Sequence, residues 1–426
     1  MSEVVELLQQ LIRVDTTNPP GNETAAAELL RDYLEPFGVE CELFARVPER
    51  ANLAARIRGA GDGPSLAMLS HTDVVLADHT EWERHPFEGA LVEGEVWGRG
   101  ALDMKCEVAA SAVAIATLAR EGWRGGGDLV FIAAADEEVG AGFGLEWLVE
   151  EHPDAVRTDY SVNEGAGDRV QLGDRVVYLC ATAEKMTSPF LLRVLGRSGH
   201  ASMPSIADNA LVKAAPLIER LGHFGVEPQL VPEVEAFFQA TLGSVPAAAD
   251  ALAAAQGLSP LAGEIVEPLL GMTVSPTVVR ASEKRNVIPA VCEVTIDVRL
   301  LPGQSPAEAE ALLRACLGEG DYELVSLAQH GGTRSEIGGP LWAAAESFVA
   351  AEEPGAALAP VCVAGFTDSH WVREAFGTVA YGFFPARALA PEVAARLIHS
   401  ANERVPVADV ELGVRWLLHA ARSVCG

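Results

Sequence analysis

Two histidines and three acidic residues stand where apolar runs of strand length give out: His71, Asp103, Glu138, Glu164 and, far downstream, His399. Imidazole nitrogen and carboxylate oxygen are donors that zinc accepts, and a pair of ions about 3.5 to 4 Å apart needs a carboxylate between them. Asp103 is the candidate bridge, and the chemistry of such a set is hydrolysis by activated water. Glu137 adjoins Glu138, so the backbone keeps its carboxylate near that water without requiring it to coordinate. It is the expected proton carrier, from the water to a departing amide nitrogen. Asp73 follows His71 by two residues and so lies on the same side of an extended chain. It is expected to accept from the imidazole N–H and fix the tautomer.

These residues need elements to hold them. Apolar runs at 65–70, 129–135 and 160–162 read as strands, and each delivers an acidic or imidazole cluster at its end. The glycine-loosened turn Gly98-Arg-Gly-Ala-Leu-Asp-Met-Lys105 presents Asp103 just before a long apolar helix. In open α/β sheets ligands collect beyond the carboxyl ends of strands, so the clusters point to one shared pocket. Alternating β and α patterns to about residue 182 predict an α/β unit with a mostly parallel mixed sheet between helices. A second pattern follows: strand 190–195, helix 209–221, strands 272–279 and 292–300, helix 305–317, strand 322–327. That βαββαβ order is the α+β, ferredoxin-like arrangement. Residues 222–270, rich in Ala and Pro, read as a largely helical insertion. The chain then returns to the first unit, which lets His399 join the earlier ligands. The expected divisions are 1–186, 187–330 and 331–426.

His71-Thr-Asp73, the 98–105 turn, Asp136-Glu-Glu138, Glu164-Gly165, Gly199-His-Ala-Ser202 and His399-Ser-Ala-Asn-Glu403 occur in that order. Together they resemble the co-catalytic zinc amidohydrolases that include aminoacylase, glutamate carboxypeptidase, acetylornithine deacetylase and succinyl-diaminopimelate desuccinylase. The resemblance covers nearly the whole chain. It implies a zinc-peptidase catalytic domain interrupted by a lid and dimerisation domain. It also implies two zinc ions per subunit, for which cobalt or manganese could substitute: His71 and Glu164 on one, Glu138 and His399 on the other, Asp103 between. By the same resemblance, His200 reaches an active site, often the partner subunit's, and donates to the developing oxyanion, while Asn286 contacts a substrate carboxylate. In Gly365-Phe-Thr-Asp-Ser-His370 the chain departs from the pattern, with His370 where an arginine commonly grips that carboxylate. An imidazole cannot supply the bidentate fork. Either Arg373, one helical turn on, does so, or the carboxylate is held differently or is absent. His79 and His85 match no ligand position and read as rim or surface groups.

The composition limits the rest. A chain of 426 residues favours two domains. Its net charge of -29 argues against nucleic acid and anionic membrane as partners. The longest uncharged apolar stretch, 108–119, is short of the ~20 residues a spanning helix needs. No basic, apolar leader opens the chain, so a cytoplasmic location is expected. Seven scattered cysteines read as reduced thiols rather than a disulfide frame. Only four of the 31 cationic residues are lysine, and two of those, Lys105 and Lys284, lie within motifs. Where arginine is otherwise favoured, these two are expected to fill tight sites that want a compact ammonium. The function expected is hydrolysis of an amide in an N-acyl amino acid or short peptide by a homodimer. A carboxypeptidase or dipeptidase is the near alternative, and a non-catalytic metal binder, which has no use for Glu137, the distant one.

Overall fold

The computed structural model describes residues 2–173, 175–327 and 330–426. Its largest sheet runs Glu40–Ala45, Ala51–Ile57, Leu129–Ala134, Leu66–His71, Tyr160–Asn163, Val379–Gly382, Arg175–Glu184, Thr333–Arg334, with Ala357–Val363 and Arg169–Leu172 also on the Arg175–Glu184 strand. The sheet is mixed. Its centre is parallel, from Leu129–Ala134 through Leu66–His71 and Tyr160–Asn163 to Val379–Gly382, while both flanks carry antiparallel neighbours.

Helices on both faces explain why the central strands are buried along nearly their whole length and largely apolar. Leu66 and Met68 face one core with Leu129 and Phe131, against the helices Glu3–Arg13, Lys105–Arg120 and Val407–Val424. The intervening Ala67, Leu69, Val130 and Ile132 face a second core with Leu145, Leu148, Trp371 and Val372. This is the two-residue period of a strand read from either side. Strands Leu66–His71 and Leu129–Ala134 end level at the pair His71↔Ala134, and Tyr160–Asn163 ends one residue past the pair Met68↔Val162, toward the same edge.

The second sheet is antiparallel, in the order Thr273–Arg280, Val291–Leu300, Phe190–Leu195, Tyr322–Ser326, with Met186–Thr187 added to the long central strand. Helices Ala210–Gly222 and Pro306–Leu317 bury Ala214, Leu217, Leu313 and Leu317 against Phe190, Leu192, Val294 and Ile296. The expected βαββαβ order is present. Asn209 and Ser305 cap the two helices as their sequence positions suggest, Ser305 in a capping box with Glu308. The 222–270 insertion is helical, at Pro232–Leu242, Ala251–Leu258 and Pro260–Val266, but it does not extend this second core. Val234, Phe237 and Phe238 pack instead against Val177, Leu179, Ala359 and Val361 of the large sheet.

Lysine burial divides the expectation made for it. Lys105 is fully buried, and its Nζ donates to the Leu11 and Val14 carbonyls at 3.0 and 2.8 Å, closing the otherwise open end of the first helix. Lys284 is exposed, contrary to expectation. The tight second lysine is Lys185, whose Nζ donates to Pro268 O, Gly271 O and Thr273 Oγ1 where the helical insertion ends. No feature of its flanking sequence marked it.

Candidate metal centre

Each ligand candidate takes its place from a local device. His71 ends a central strand and is buried; its Nδ1 lies 3.1 Å from the Asp73 carbonyl and 3.5 Å from the Asp73 carboxylate. The Asp73 carboxylate itself has further work. It accepts from the backbone N–H groups of Glu137 and Glu138, both at 3.1 Å, and from Asn18 Nδ2 at 2.9 Å. One buried aspartate thereby fixes the imidazole and the turn that follows the next strand. Asp136 opens that turn in the left-handed region at φ 66 and accepts from Asn18, Arg50 and the Phe143 N–H.

Asp103 is positioned by a residue three hundred positions away. The Glu403 carboxylate accepts from the N–H groups of Gly100, Leu102 and Asp103 at 3.0, 2.7 and 3.0 Å, and from Arg99 at 2.7 Å. Four residues before Glu403, His399 is held at φ 60, a left-handed conformation that a side chain adopts only when its surroundings enforce it. The turn and the C-terminal segment are thus one unit.

The result is a single cluster. His71 Nε2 lies 3.2 Å from Asp103 Oδ1 and 3.7 Å from Glu164 Oε1. His399 Nε2 lies 3.0 Å from Asp103 Oδ2 and 3.2 Å from Glu138 Oε2. The two oxygens of Asp103 therefore face different imidazoles. Ligand atoms about 2.0–2.1 Å from a tetrahedral ion stand roughly 3.3 Å from one another, which is the spacing seen. Glu138 Oε1 is buried with no hydrogen-bond partner among the described residues. The donor set and this orphaned oxygen both fit metal ions.

Charge points the same way. Asp73, Asp103, Glu107, Glu137, Glu138, Glu164 and Asp368 crowd around only two imidazoles. Burial, together with the negative charge of Asp103, Glu138 and Asp368, pushes Glu164 up to about 8 despite the opposing pull of His71. Asp368 is likewise pushed by burial, and by Asp73 and Glu184, up to about 8, again against His71. Burial and then Glu164 hold Glu137 well above the carboxylate range. Hydrogen bonding to Asp103 and Glu138 raises His399 to about 10. For His71, burial opposes protonation, but Glu164, Asp103, Asp73 and Glu137 together outweigh it. Such a group is short of positive charge, as a site for cations is when no cation is counted.

Two spaces meet at the cluster. One, of about 400 Å³, is lined by Leu102, Met104, Val363, Phe384, Leu389 and Ile398 beside the carboxylates; among the described residues no lysine or arginine lines it. The other is a wide groove between the units, lined by Met186, Thr187, Pro189, Leu327, His330, Trp371 and Glu374. Glu137, Glu138 and Phe366 border both.

The expected substrate contacts are not brought here. Arg373 is buried, with Nε donating to Ser335 Oγ at 3.1 Å, one terminal nitrogen to Glu184 Oε1 at 2.8 Å and the other to Ala380 O at 2.6 Å. It pins helix Ser369–Phe376 to the sheet, and a guanidinium so engaged does not grip a substrate. His370 is fully buried behind the groove wall. His200 and Asn286 are exposed on the second unit, joined by the pairings Gly199↔Ile288 and His200↔Val287, and neither lines the two spaces. His79 and His85 meet edge to face with ring centroids 4.5 Å apart in an exposed loop. Sequence reading missed Asp368, buried with both oxygens unpartnered among the described residues, and the positioning roles of Glu403, Asn18 and Arg50. Glu403 and Asp368 lie inside the quoted motifs, which was their only signal.

Comparison with known proteins agrees with this architecture. The sequence profile of "Peptidase family M20/M25/M40" matches residues 67–423. Among curated relatives, succinyl-diaminopimelate desuccinylase of Methylobacterium radiotolerans is 35% identical over 222 residues, 49% of this chain and 52% of that protein. The enzyme of the same name from Thioalkalivibrio sulfidiphilus is 31% identical over 229 residues, 52% of this chain and 57% of that one. The chain thus spans about half the length of the curated relatives it matches. Among solved structures, the M20 family metallo-carboxypeptidase Sso-CP2 of Sulfolobus solfataricus superposes with a TM-score of 0.75 at 19% identity, over 100% of this chain and 99% of that one. Human carnosine dipeptidase 1 does so with a TM-score of 0.70 at 16% identity, over 99% and 96%. At those identities the likeness is one of fold. With its profile matched across most of its length, the chain belongs to peptidase family M20/M25/M40.

Proposed function

We propose that the protein is a dinuclear zinc hydrolase that cleaves the amide bond of an N-acyl amino acid or short peptide bearing an apolar group beside that bond. The observation that carries this reading is Asp103 turned with one oxygen toward each imidazole, while Glu137 borders the same cavity. His71 and Glu164 would hold one ion, Glu138 and His399 the other, and Asp103 both. The pair supplies Lewis acidity toward the amide carbonyl and makes water nucleophilic near neutral pH; cobalt or manganese could replace zinc in that role.

The chain's own residues do the rest. Glu137 takes a proton from the attacking water and returns it to the amide nitrogen as the C–N bond breaks. Asp73 holds the Glu137 and Glu138 amides and so sets where both carboxylates stand. The apolar cavity takes one side of the scissile bond, and the groove takes the other. His200 and Asn286 would complete the site from the second subunit of a homodimer. The edge strand Thr273–Arg280, with Val278 and Val279 exposed, and the exposed Leu211 and Val212 of the neighbouring helix offer a surface for it. A cytoplasmic enzyme fits the scattered thiols, none of which is paired.

The cavity separates this substrate from the succinylated compound named for the curated relatives. A succinyl tail carries a carboxylate, and burying it beside Glu107 and Asp168 without a cation is costly. Metal-stripped and zinc-reconstituted protein assayed on a panel of N-acyl amino acids and dipeptides tests the reading. The expected result is zinc-dependent release, faster for aliphatic or aromatic acyl groups than for succinyl. Zinc-independent turnover, or a preference for succinyl, would overturn it.

A further inference from the structure

Helix Ser369–Phe376 places His370 and Glu374 one turn apart on one face. Against that face stands His330, on the segment by which the chain leaves the second sheet, after Tyr322–Ser326, and re-enters the first at Thr333–Arg334. Both imidazoles converge on one oxygen. His330 Nδ1 and His370 Nε2 are each 3.0 Å from Glu374 Oε2, and one ligand atom from each of the three residues lies within 4.8 Å of the others.

His370 supplies an independent observation. Its side chain is fully buried, yet neither ring nitrogen has a hydrogen-bond partner among the described residues, although Nε2 approaches Glu374 so closely. Leaving a buried imidazole without a partner is costly, and such orphans call for an explanation. Coordination is one, because a lone pair aimed at an ion needs no N–H···O line. Two imidazoles and one carboxylate are a set that binds zinc and its neighbours in the first transition row.

We propose that His330, His370 and Glu374 form a further binding site for a divalent transition-metal ion, separate from the centre at Asp103, which ties the return segment of the second unit to the catalytic body. Glu146 and Glu150 line the same groove and would add to its attraction for a cation. The ion would restrain the angle between the two units through one protein ligand on the connecting segment and two on helix Ser369–Phe376. The remaining coordination positions would fall to water or to a carboxylate in the groove.

The test is equilibrium dialysis of the full-length protein against buffered free zinc, with zinc per chain measured for wild type, His330→Ala and Glu374→Ala. Both substitutions fall on partly exposed side chains and spare the buried His370. Each variant should hold one ion fewer than wild type, whatever total the wild type reaches. The result therefore stands or falls apart from the stoichiometry of the main centre. Repeating the dialysis with cobalt should give a wild-type minus His330→Ala difference spectrum with visible d–d bands. Equal metal content in all three proteins, or a flat difference spectrum, would overturn the proposal.

Discussion

In the proposed mechanism Glu137 moves a proton and need not hold the metal. Glu137→Gln keeps the shape and removes the basicity, so turnover should fall by about 10²–10⁴-fold while bound metal is unchanged; parallel kinetics and elemental analysis check this. Asp73→Asn should act through its neighbours, weakening metal binding by about 10–100-fold, because the Glu137 and Glu138 amides lose an ionised acceptor. Arg373 allows a sharper contrast. If it anchors the fold, Arg373→Ala strands Glu184 in the interior and should destabilise the protein by about 3–5 kcal/mol in a denaturant titration. A substrate contact would instead raise KM and leave stability alone. His71, Glu138 and Glu164 were legible because strand ends advertise what they deliver, whereas Asp103 lies in the turn before helix Lys105–Arg120 and His399 follows helix Pro391–Leu397 rather than a strand, so only their motifs marked them. The inward turn of Arg373 and the burial of His370 were not, because a spacing of three residues says that two side chains are neighbours and not which way they face.

Elements bring their own chemistry, as Lys185 illustrates at the junction between the large sheet and the helical insertion. Burial lowers its pKa to about 8, against ~10.4 in an unfolded chain. Below pH 8 the ammonium is charged in both states. Between about 8 and 10.4 only the unfolded chain keeps the proton, so this group makes stability rise with pH across that window. Lys185→Met should remove that rise; unfolding titrations at both ends of the window would show it, and an unchanged pH slope would count against it. The strands of both sheets were readable from apolar runs, and the second-unit strand Phe190–Leu195 falls where its sequence places it. The destination of the insertion was not readable. Val234, Phe237 and Phe238 announce a buried helix face, but only tertiary packing decides which sheet buries it. Lys185 escaped notice for the same reason, since its acceptors come from residues some eighty positions away.

At the scale of the whole molecule, the proposed reading has the exposed His200 and Asn286 of one subunit complete the other's site. Glu137→Gln and His200→Ala homodimers, each inactive, should regain activity when mixed and allowed to exchange. Random pairing makes half the dimers mixed with one sound site each, about a quarter of wild-type activity in a two-fold assembly. No recovery despite proven exchange would place His200 outside the reaction. Everything in the proposed reading depends on remote chain segments converging on two ions shared by Asp103. Anomalous diffraction at the zinc edge from metal-loaded crystals addresses it most directly. Two peaks about 3.5 to 4 Å apart are expected, one beside each oxygen of Asp103, the first bonded to His71 and the second to His399. Density with no peak at Asp103, or with only one of those imidazoles coordinated, would contradict it.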